Sequence, residues 1–388
     1  MATANDETSP KKARTDCTKK ARIVVCGAGW WSQGWHLPHL HRNPNSEIAA
    51  IVEPNPAPKC VEGDSKTTDE LRELYSVPVF RSMDDLLASE VARMVDGIII
   101  CTSHASHHEV GMKAMSAGWH ILIEKPMTTD PFEAFELTKA ASSYGKALMV
   151  NNSANFRQQS KRAHDLVRGG RIGEVKHVSC ALFSPLAWLF HNPANVGWVK
   201  PTGTMLGNGF AWGQLSHTFA WVYLVTGLTP KSVFCHMSYS GTTGADIYDS
   251  ATVRCTGGAT ISVQGIGDIP GSCKKVDNKI IGTEGMLLFS GDIVESTGSG
   301  ENSCVSEGLV LQRHDGNNEK FPGFEFENFE KEGNGPESVQ TLIAACLGQN
   351  IFNAADADVG CKTVVSIEAM YRSAKLGQEV EVRASESA

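Results

Sequence analysis

Between residues 27 and 53 the sequence arranges groups suited to gripping a dinucleotide. Gly27-Ala28-Gly29-Trp30-Trp31-Ser32 follows directly on the apolar run Arg22–Cys26 and opens a helix-compatible segment that continues to about Arg42. Gly27 permits a tight turn, Gly29 lets a pyrophosphate approach the backbone, and Ser32 is small enough for helix–strand packing. The N–H groups of the helix start point at the phosphates. A second apolar run ends in Glu53, 21 residues after Ser32, where a carboxylate accepts the ribose hydroxyls of an adenosine. No arginine follows in Pro54-Asn55-Pro56 to receive a 2′-phosphate, so NAD is expected over NADP. Trp30 and Trp31, inside the turn, are expected to pack on the helix or cover the cofactor.

A second group of residues suits a polyol. Trp188, Trp198, Trp212 and Trp221, half of the eight tryptophans, fall in a long loop and the helix after it, with Phe190, Phe210, Asn192, Asn195 and Asn208. Aromatic faces stack on C–H surfaces while amides bind hydroxyls, which fits a sugar or cyclitol. The same rings can equally plug a domain interface. Two histidine groups, His36/His39/His41 and His104/His107/His108, lack carboxylate or cysteine partners at ligand spacing, so no metal is expected.

The elements that must position these groups alternate. Strands are expected at Arg22–Cys26, Glu47–Glu53, Val77–Phe80, Gly97–Cys101, His120–Glu124 and Ala147–Val150, separated by helices, as in a parallel Rossmann sheet. After the helix Gln158–Arg168 come a strand near Glu174–Leu182, a long Trp- and Gly-rich loop and the helix Gln214–Thr226, and short segments from Lys231 to about Phe289 read as an antiparallel meander. Ser296–Asn318 reads as a loop or hairpin, and helices Pro336–Gln349 and Val359–Ser373 close the chain. The expected architecture is α/β: a disordered tail at 1–20, a Rossmann domain at 21–150, and a substrate and oligomerisation domain at 151–388 with a large, mostly antiparallel open sheet.

Composition sets limits. The chain has 388 residues, 41% hydrophobic and 20% charged, with a net charge of −8. That balance gives no electrostatic reason to expect nucleic acid or an anionic membrane as partner. The 11 cysteines are scattered without a Cys-x-x-Cys pair, which suits buried thiols in a reducing, cytoplasmic setting. The polar tail Met1–Lys20 is no signal peptide, and no run approaches the ~18 apolar residues of a membrane span. Pro10–Arg14 reads as a short solvated charge cluster.

From Ala21 onward the chain resembles the Gfo/Idh/MocA oxidoreductases, which include glucose–fructose oxidoreductase and inositol dehydrogenase. The resemblance is carried by Glu124-Lys125-Pro126 with Ala117-Gly118-Trp119-His120 before it, Thr102…His107, Arg157, Gly169…Gly173, His217, Asp249 with Gly257-Gly258, Gly282–Gly285, and Tyr371-Arg372-Ser373. It implies that Lys125 lies beside the nicotinamide and the reacting hydroxyl, and that Glu124, with Thr102 and His107, belongs to the cofactor site. It also implies that His217 faces the substrate. The family's pattern has an Asp four residues before that histidine and another three after it; here Gly213 and Ala220 stand there. Either His217 and Lys125 suffice as an acid–base pair, with Gln214 or Asn208 orienting substrate, or the dehydrogenase chemistry is altered or lost. Without a carboxylate, and with Lys125 near, His217 is expected to be neutral. Three functions stay open: an NAD-dependent dehydrogenase or reductase of a sugar-like molecule, a glycoside-cleaving enzyme using NAD transiently, and a non-catalytic cofactor-binding protein. A homodimer or homotetramer built on the open sheet is expected in each case.

Overall fold

A computed structural model describes residues 19–58, 65–294, 304–321 and 336–384. The tail expected at 1–20, its last two residues apart, lies outside the described residues. Six short strands carry the first half: β1 (Ala21–Cys26), β2 (Ser46–Val52), β3 (Val79–Phe80), β4 (Gly97–Ile100), β5 (His120–Ile123) and β6 (Leu148–Val150). All pair in parallel, in the order β3-β2-β1-β4-β5-β6. Their residues are apolar on both faces because helices cover both. The order reverses between β1 and β4, the point at which sheets of this kind bind ligands outside the carboxyl ends of their strands.

The second sheet holds β7 (Val175–Phe183), β8 (Pro230–Tyr239), β9 (Asp246–Cys255), β10 (Thr260–Ile266), β11 (Cys273–Gly282), β12 (Gly285–Val294), β13 (Cys304–Arg313), β14 (Glu319–Phe321) and β15 (Val380–Glu381). Its order is β14-β13-β12-β11-β7-β10-β9-β8-β15. This is a large, mostly antiparallel sheet, but it is not a plain meander. β7 comes first in sequence and lies at the centre, parallel to β10 and antiparallel to β11. Alternation along one strand says nothing about which neighbour it takes, so the sequence could not reveal this insertion. The segment read as a loop or hairpin contains β13, whose Leu309 and Leu311 are buried.

The long strands bury alternate residues under two helices: Ser216–Thr226, nearly all of which is buried, packs on β7, and Ala357–Leu376 packs on β8. The other face carries Phe234, Tyr239, Tyr248 and Ile281 among polar side chains, so it is less apolar than an unpaired face was expected to be.

The chain crosses back once. Helix Glu337–Cys346, expected in the second domain, packs Val339, Leu342 and Ile343 on Ile23, Val25, Ile99 and Leu122 of the first sheet. The core of the first domain is therefore completed from the far end of the sequence. Among the described residues no helix is long and apolar enough to cross a membrane, and Cys26, Cys180, Cys235 and Cys255 are free and buried.

Candidate active site

The glycine turn sits at the carboxyl end of β1. Gly27 adopts φ +92°, and a Cβ there would lie 2.3 Å from the carbonyl oxygen of Cys101. Only glycine lets the ends of β1 and β4 approach this closely. Gly29 is the opposite case: a Cβ would meet nothing within 4 Å, so its backbone borders open space. The Glu53 carboxylate accepts the Ala28 N–H at 2.7 Å and the Asn55 N–H at 2.9 Å, which fixes it beside the turn. Ser32 is fully buried against the fold. Trp31 stacks on Trp35 at 5.4 Å between centroids, with Trp30 edge-on to Trp31 at 5.8 Å. Open space at Gly29, a helix start and an acid at the end of β2 together fit a dinucleotide.

The helix that follows does not start as an ordinary α-helix. Ser32–His36 forms a π turn, whose extra residue rotates what comes after it. His36 is thereby aimed inward, and its Nε2 lies 2.8 Å from Glu124 Oε1. Glu124 follows β5, and the same oxygen accepts Trp31 Nε1–H at 3.0 Å and an Asn151 Nδ2–H at 2.6 Å. Burial alone would raise its pKa. The hydrogen bonds from His36 and Asn151 and the charge of Lys125 outweigh burial and hold the carboxyl below its usual range. His36, Cys101 and Glu124 bring potential ligand atoms within 4.8 Å of one another, a trio the spacing in sequence did not suggest. Its imidazole is committed to the carboxylate through Nε2, and its buried Nδ1 has no acceptor of the kind that orients a metal-binding histidine.

Lys125 comes next in the chain. Its Nζ donates to the Gly213 carbonyl at 2.8 Å and lies 4.8 Å from the centroid of the Trp198 ring. The position that carries an Asp in the family's pattern thus meets the lysine through its backbone. A Cβ on Gly213 would touch Phe190 and Trp198 at 3.4 Å, so those rings fill the room a side chain there would need. The loop behind Lys125 is braced by His107, flanked by the carbonyls of Pro126 at 2.9 Å and Thr102 at 3.2 Å. His107 and Thr102 therefore meet each other and the Pro126 backbone. Burial lowers the pKa of His107 against the pull of both carbonyls. In His104, burial and then the neighbouring His107 and Lys125 push it down to about 3.

His217 stands in the first turn of helix Ser216–Thr226, directly after a second π turn, Ala211–Leu215. Asn152 and Asn155 donate to the carbonyls of Ser216 and Ala220 and hold this helix against the end of β6. The ring makes no hydrogen bond to a described residue, and its Nδ1 is buried. Gln214 does not orient it. Burial lowers the pKa of His217 well below the ordinary value, and the ammonium groups of Lys125 and Lys274 lower it further. The imidazole is neutral at physiological pH. It borders a cavity of about 20 Å³, room for roughly one water, with Thr218, Trp221, Asn278 and Phe289 among its walls. Lys274 and Asn278 were not singled out from sequence. They lie on the buried face of β11, each two residues from Val276, and the inward direction becomes readable only once β11 is known to pair with β7.

The aromatic loop is mostly core. Trp212 is 1% exposed and stacks on Tyr371 at 5.9 Å. Phe190 and Phe210 are fully buried, and Trp221 packs on Phe289. Trp188 is 46% exposed, so of the expected substrate wall only Trp198 stands beside Lys125. Asn208 is buried, and its amide nitrogen donates to the carbonyls of Gly197 and Lys200. Asn195 likewise donates to Leu189 O at 3.1 Å. A long loop wrapped on a domain must satisfy its own carbonyls, and asparagine does so locally. The half-buried Gln214 side chain has no hydrogen bond to a described residue.

Residues 21–152 match the model of an oxidoreductase family with an NAD-binding Rossmann fold, and residues 160–288 match the Gfo/Idh/MocA C-terminal domain. The chain belongs to the Gfo/Idh/MocA family. Among curated members, an uncharacterised oxidoreductase of Schizosaccharomyces pombe is 31% identical over 156 residues, 40% of this chain and 39% of that protein. The D-glucoside 3-dehydrogenase of Escherichia coli is 29% identical over 157 residues, 40% of this chain and 41% of its own. The matched stretch thus spans about two fifths of these Gfo/Idh/MocA relatives. Of solved structures, GenD2 from gentamicin A biosynthesis, in complex with NAD, superposes with a TM-score of 0.68 at 20% identity, covering 97% of this chain and 100% of GenD2. The WlbA dehydrogenase of Chromobacterium violaceum, in complex with NADH and UDP-GlcNAcA, gives 0.69 at 20% identity over 95% and 97% of the two chains. At such identities these two share the fold.

Proposed function

We propose that this Gfo/Idh/MocA protein is a dehydrogenase or reductase acting, with NAD, on a secondary hydroxyl or ketone of a sugar, cyclitol or similar polyol. The observation that carries the reading is the Lys125 ammonium, held at 2.8 Å on the Gly213 carbonyl at the carboxyl edge of the Rossmann sheet, with a neutral His217 within its electrostatic reach. Curated relatives named D-glucoside 3-dehydrogenase and inositol 2-dehydrogenase support the substrate class.

Bound at the turn, NAD would be held by Gly27, Gly29 and the helix start, with Glu53 for the adenosine ribose and Glu124 at the nicotinamide end. It supplies the hydride acceptor, or the donor in the reverse direction. Alcohol oxidation also releases a proton, and the residues of this chain must manage it. Lys125 donates a hydrogen bond to the reacting oxygen and stabilises the negative charge that develops there. His217 accepts the hydroxyl proton. Burial, and then two nearby ammonium groups, keep it a weak base, so it does not retain the proton. Trp198 closes one side of Lys125 and offers a face to the substrate ring.

Absorbance at the NADH band, followed with a panel of sugars, cyclitols and sugar alcohols, tests the reading. Turnover is expected for at least one member, and Lys125→Ala is expected to abolish it while leaving NAD affinity intact. Undiminished turnover in Lys125→Ala removes the lysine from the mechanism. Turnover of a glycoside without net NADH points to the glycoside-cleaving alternative.

A further inference from the structure

Behind the catalytic segment lie two buried carboxyl groups that no step above uses. Asp246 and Asp249 are 1% and 4% exposed. Three residues apart on a regular strand they would face opposite ways. The register of β9 against β8 slips between Tyr239–Asp246 and Ser238–Tyr248, leaving Ile247 as an extra residue. This bulge turns Asp246 to the same buried side as Asp249, as bulges beside functional sites do. Asp246 then makes two tight contacts. Its Oδ2 accepts the Ala211 N–H at 2.7 Å, at the first residue of the π turn, and its Oδ1 accepts the Tyr371 hydroxyl at 2.5 Å. Gly209 passes so close that a Cβ would lie 2.5 Å from Asp246. Two residues beyond Ala211 is Gly213, whose carbonyl receives Lys125, and four beyond that is His217.

We propose that Asp246 and Asp249 form a positioning pair, which through the Ala211 N–H fixes the turn that presents the Gly213 carbonyl to Lys125 and sets the start of the His217 helix. The inference rests on the roles given above to Lys125 and His217. The two carboxyls face one another with no cation among the described groups that bear on them. Asp249 meets Asp246, while Cys235 and Tyr239 of β8 and Tyr371 of the C-terminal helix are the other titratable neighbours. Two like charges cannot both persist there. Asp249, whose carboxyl oxygens meet no hydrogen-bond partner among the described residues, keeps its proton, while Asp246 stays ionised for Ala211 and Tyr371. Burial pushes both carboxyls up, Asp249 furthest.

The test reads Lys125 directly and without a substrate. The full-length protein is labelled competitively with acetic anhydride across pH, and acetylation of Lys125 is followed by peptide mass spectrometry. In Asp246→Ala the Gly213 carbonyl loses its anchor, and the half-labelling point of Lys125 is expected to fall by roughly one pH unit. Tyr371→Phe, which removes one hydrogen bond and keeps the ring on Trp212, shifts it the same way by less, and serves if Asp246→Ala does not fold. Asp249→Ala lowers it too, while Asp249→Asn, an isostere of the protonated acid, restores it. With any polyol that is turned over, Asp246→Ala also cuts kcat by roughly 10²-fold without changing KM for NAD. A folded Asp246→Ala or Tyr371→Phe protein with the wild-type Lys125 profile overturns the proposal, as does failure of Asp249→Asn to restore it. If the labelling responds as expected and no polyol is oxidised, the positioning pair stands and the proposed reaction falls.

Discussion

Replacing Glu124 by Gln separates the charge of this carboxylate from its shape. Three donors converge on Oε1, from Trp31 at 3.0 Å, His36 at 2.8 Å and Asn151 at 2.6 Å, and the Lys125 N–H reaches Oε2 at 3.3 Å. A glutamine that keeps its oxygen towards the three donors sets its NH2 against the Lys125 N–H, and flipping it exposes the same NH2 to all three. Hydrogen bonds to a charged acceptor contribute about 1 kcal/mol more than neutral ones. Three of them amount to roughly 3 kcal/mol, part of which is offset because a neutral group is cheaper to bury. The net sign comes from Glu124 itself: its pKa is held down despite burial, so the folded protein favours the ionised form. We expect Glu124→Gln to lose about 2 kcal/mol near neutral pH, a fall in Tm of roughly 4 °C. A depressed carboxylate contributes stability that is present above its unfolded pKa and is lost as pH falls through the folded value. The gap between wild type and variant should therefore narrow below about pH 4, as acid neutralises Glu124 in the wild type. Thermal melts followed by tryptophan fluorescence over an acid series measure both. Equal Tm values at neutral pH, or a gap that stays constant on acidification, would refute the account of Glu124 as a charged hub.

His217→Asn is expected to slow the chemical step by roughly 10²–10⁴-fold with little change in NAD affinity, which single-turnover kinetics can read; a wild-type rate makes His217 a core residue. Glu53 should give higher kcat/KM with NAD than with NADP, because its carboxylate repels a 2′-phosphate, and a clear NADP preference refutes that assignment. Phe234, Tyr239, Tyr248 and Ile281 on the outward face of the second sheet are expected to be covered in a homodimer or homotetramer; a monomer by light scattering at micromolar concentration argues against it.

The first sheet was legible because each of its strands is an apolar run closed by a turn residue, and the glycine turn has few other uses in that setting. The Gly27 and Gly29 roles followed from position alone. His36 was visible only as one of several histidines, because its contact with Glu124 depends on a π turn that leaves no mark in hydrophobic periodicity. The same holds for His217, whose direction is set by the π turn at Ala211–Leu215. The aromatic loop misled for a different reason: Trp212, Phe190 and Phe210 have the composition of a sugar site and the burial of a core, and only packing distinguishes the two. Lys274, Asn278 and Asp246 depend on strand register and on a bulge, both of them long-range properties.

Gly213 gathers these threads. Read as a missing carboxylate, it suggested damaged chemistry. In the folded chain the lysine keeps a partner at that position, the backbone carbonyl, and the space of the absent side chain is taken by Phe190 and Trp198. A carbonyl holds an ammonium by geometry while leaving its charge less compensated than a carboxylate would. Burial first, and then that charge with Lys274, makes His217 neutral and weakly basic. The exchange of one Asp for Gly thus alters the balance of the whole site. In the proposed reaction, a lysine with more of its charge available to the reacting oxygen would be coupled to a histidine with less affinity for the proton. The arrangement then depends on how firmly the 211–215 turn holds its carbonyl in place, since no side chain at 213 can adjust to the lysine.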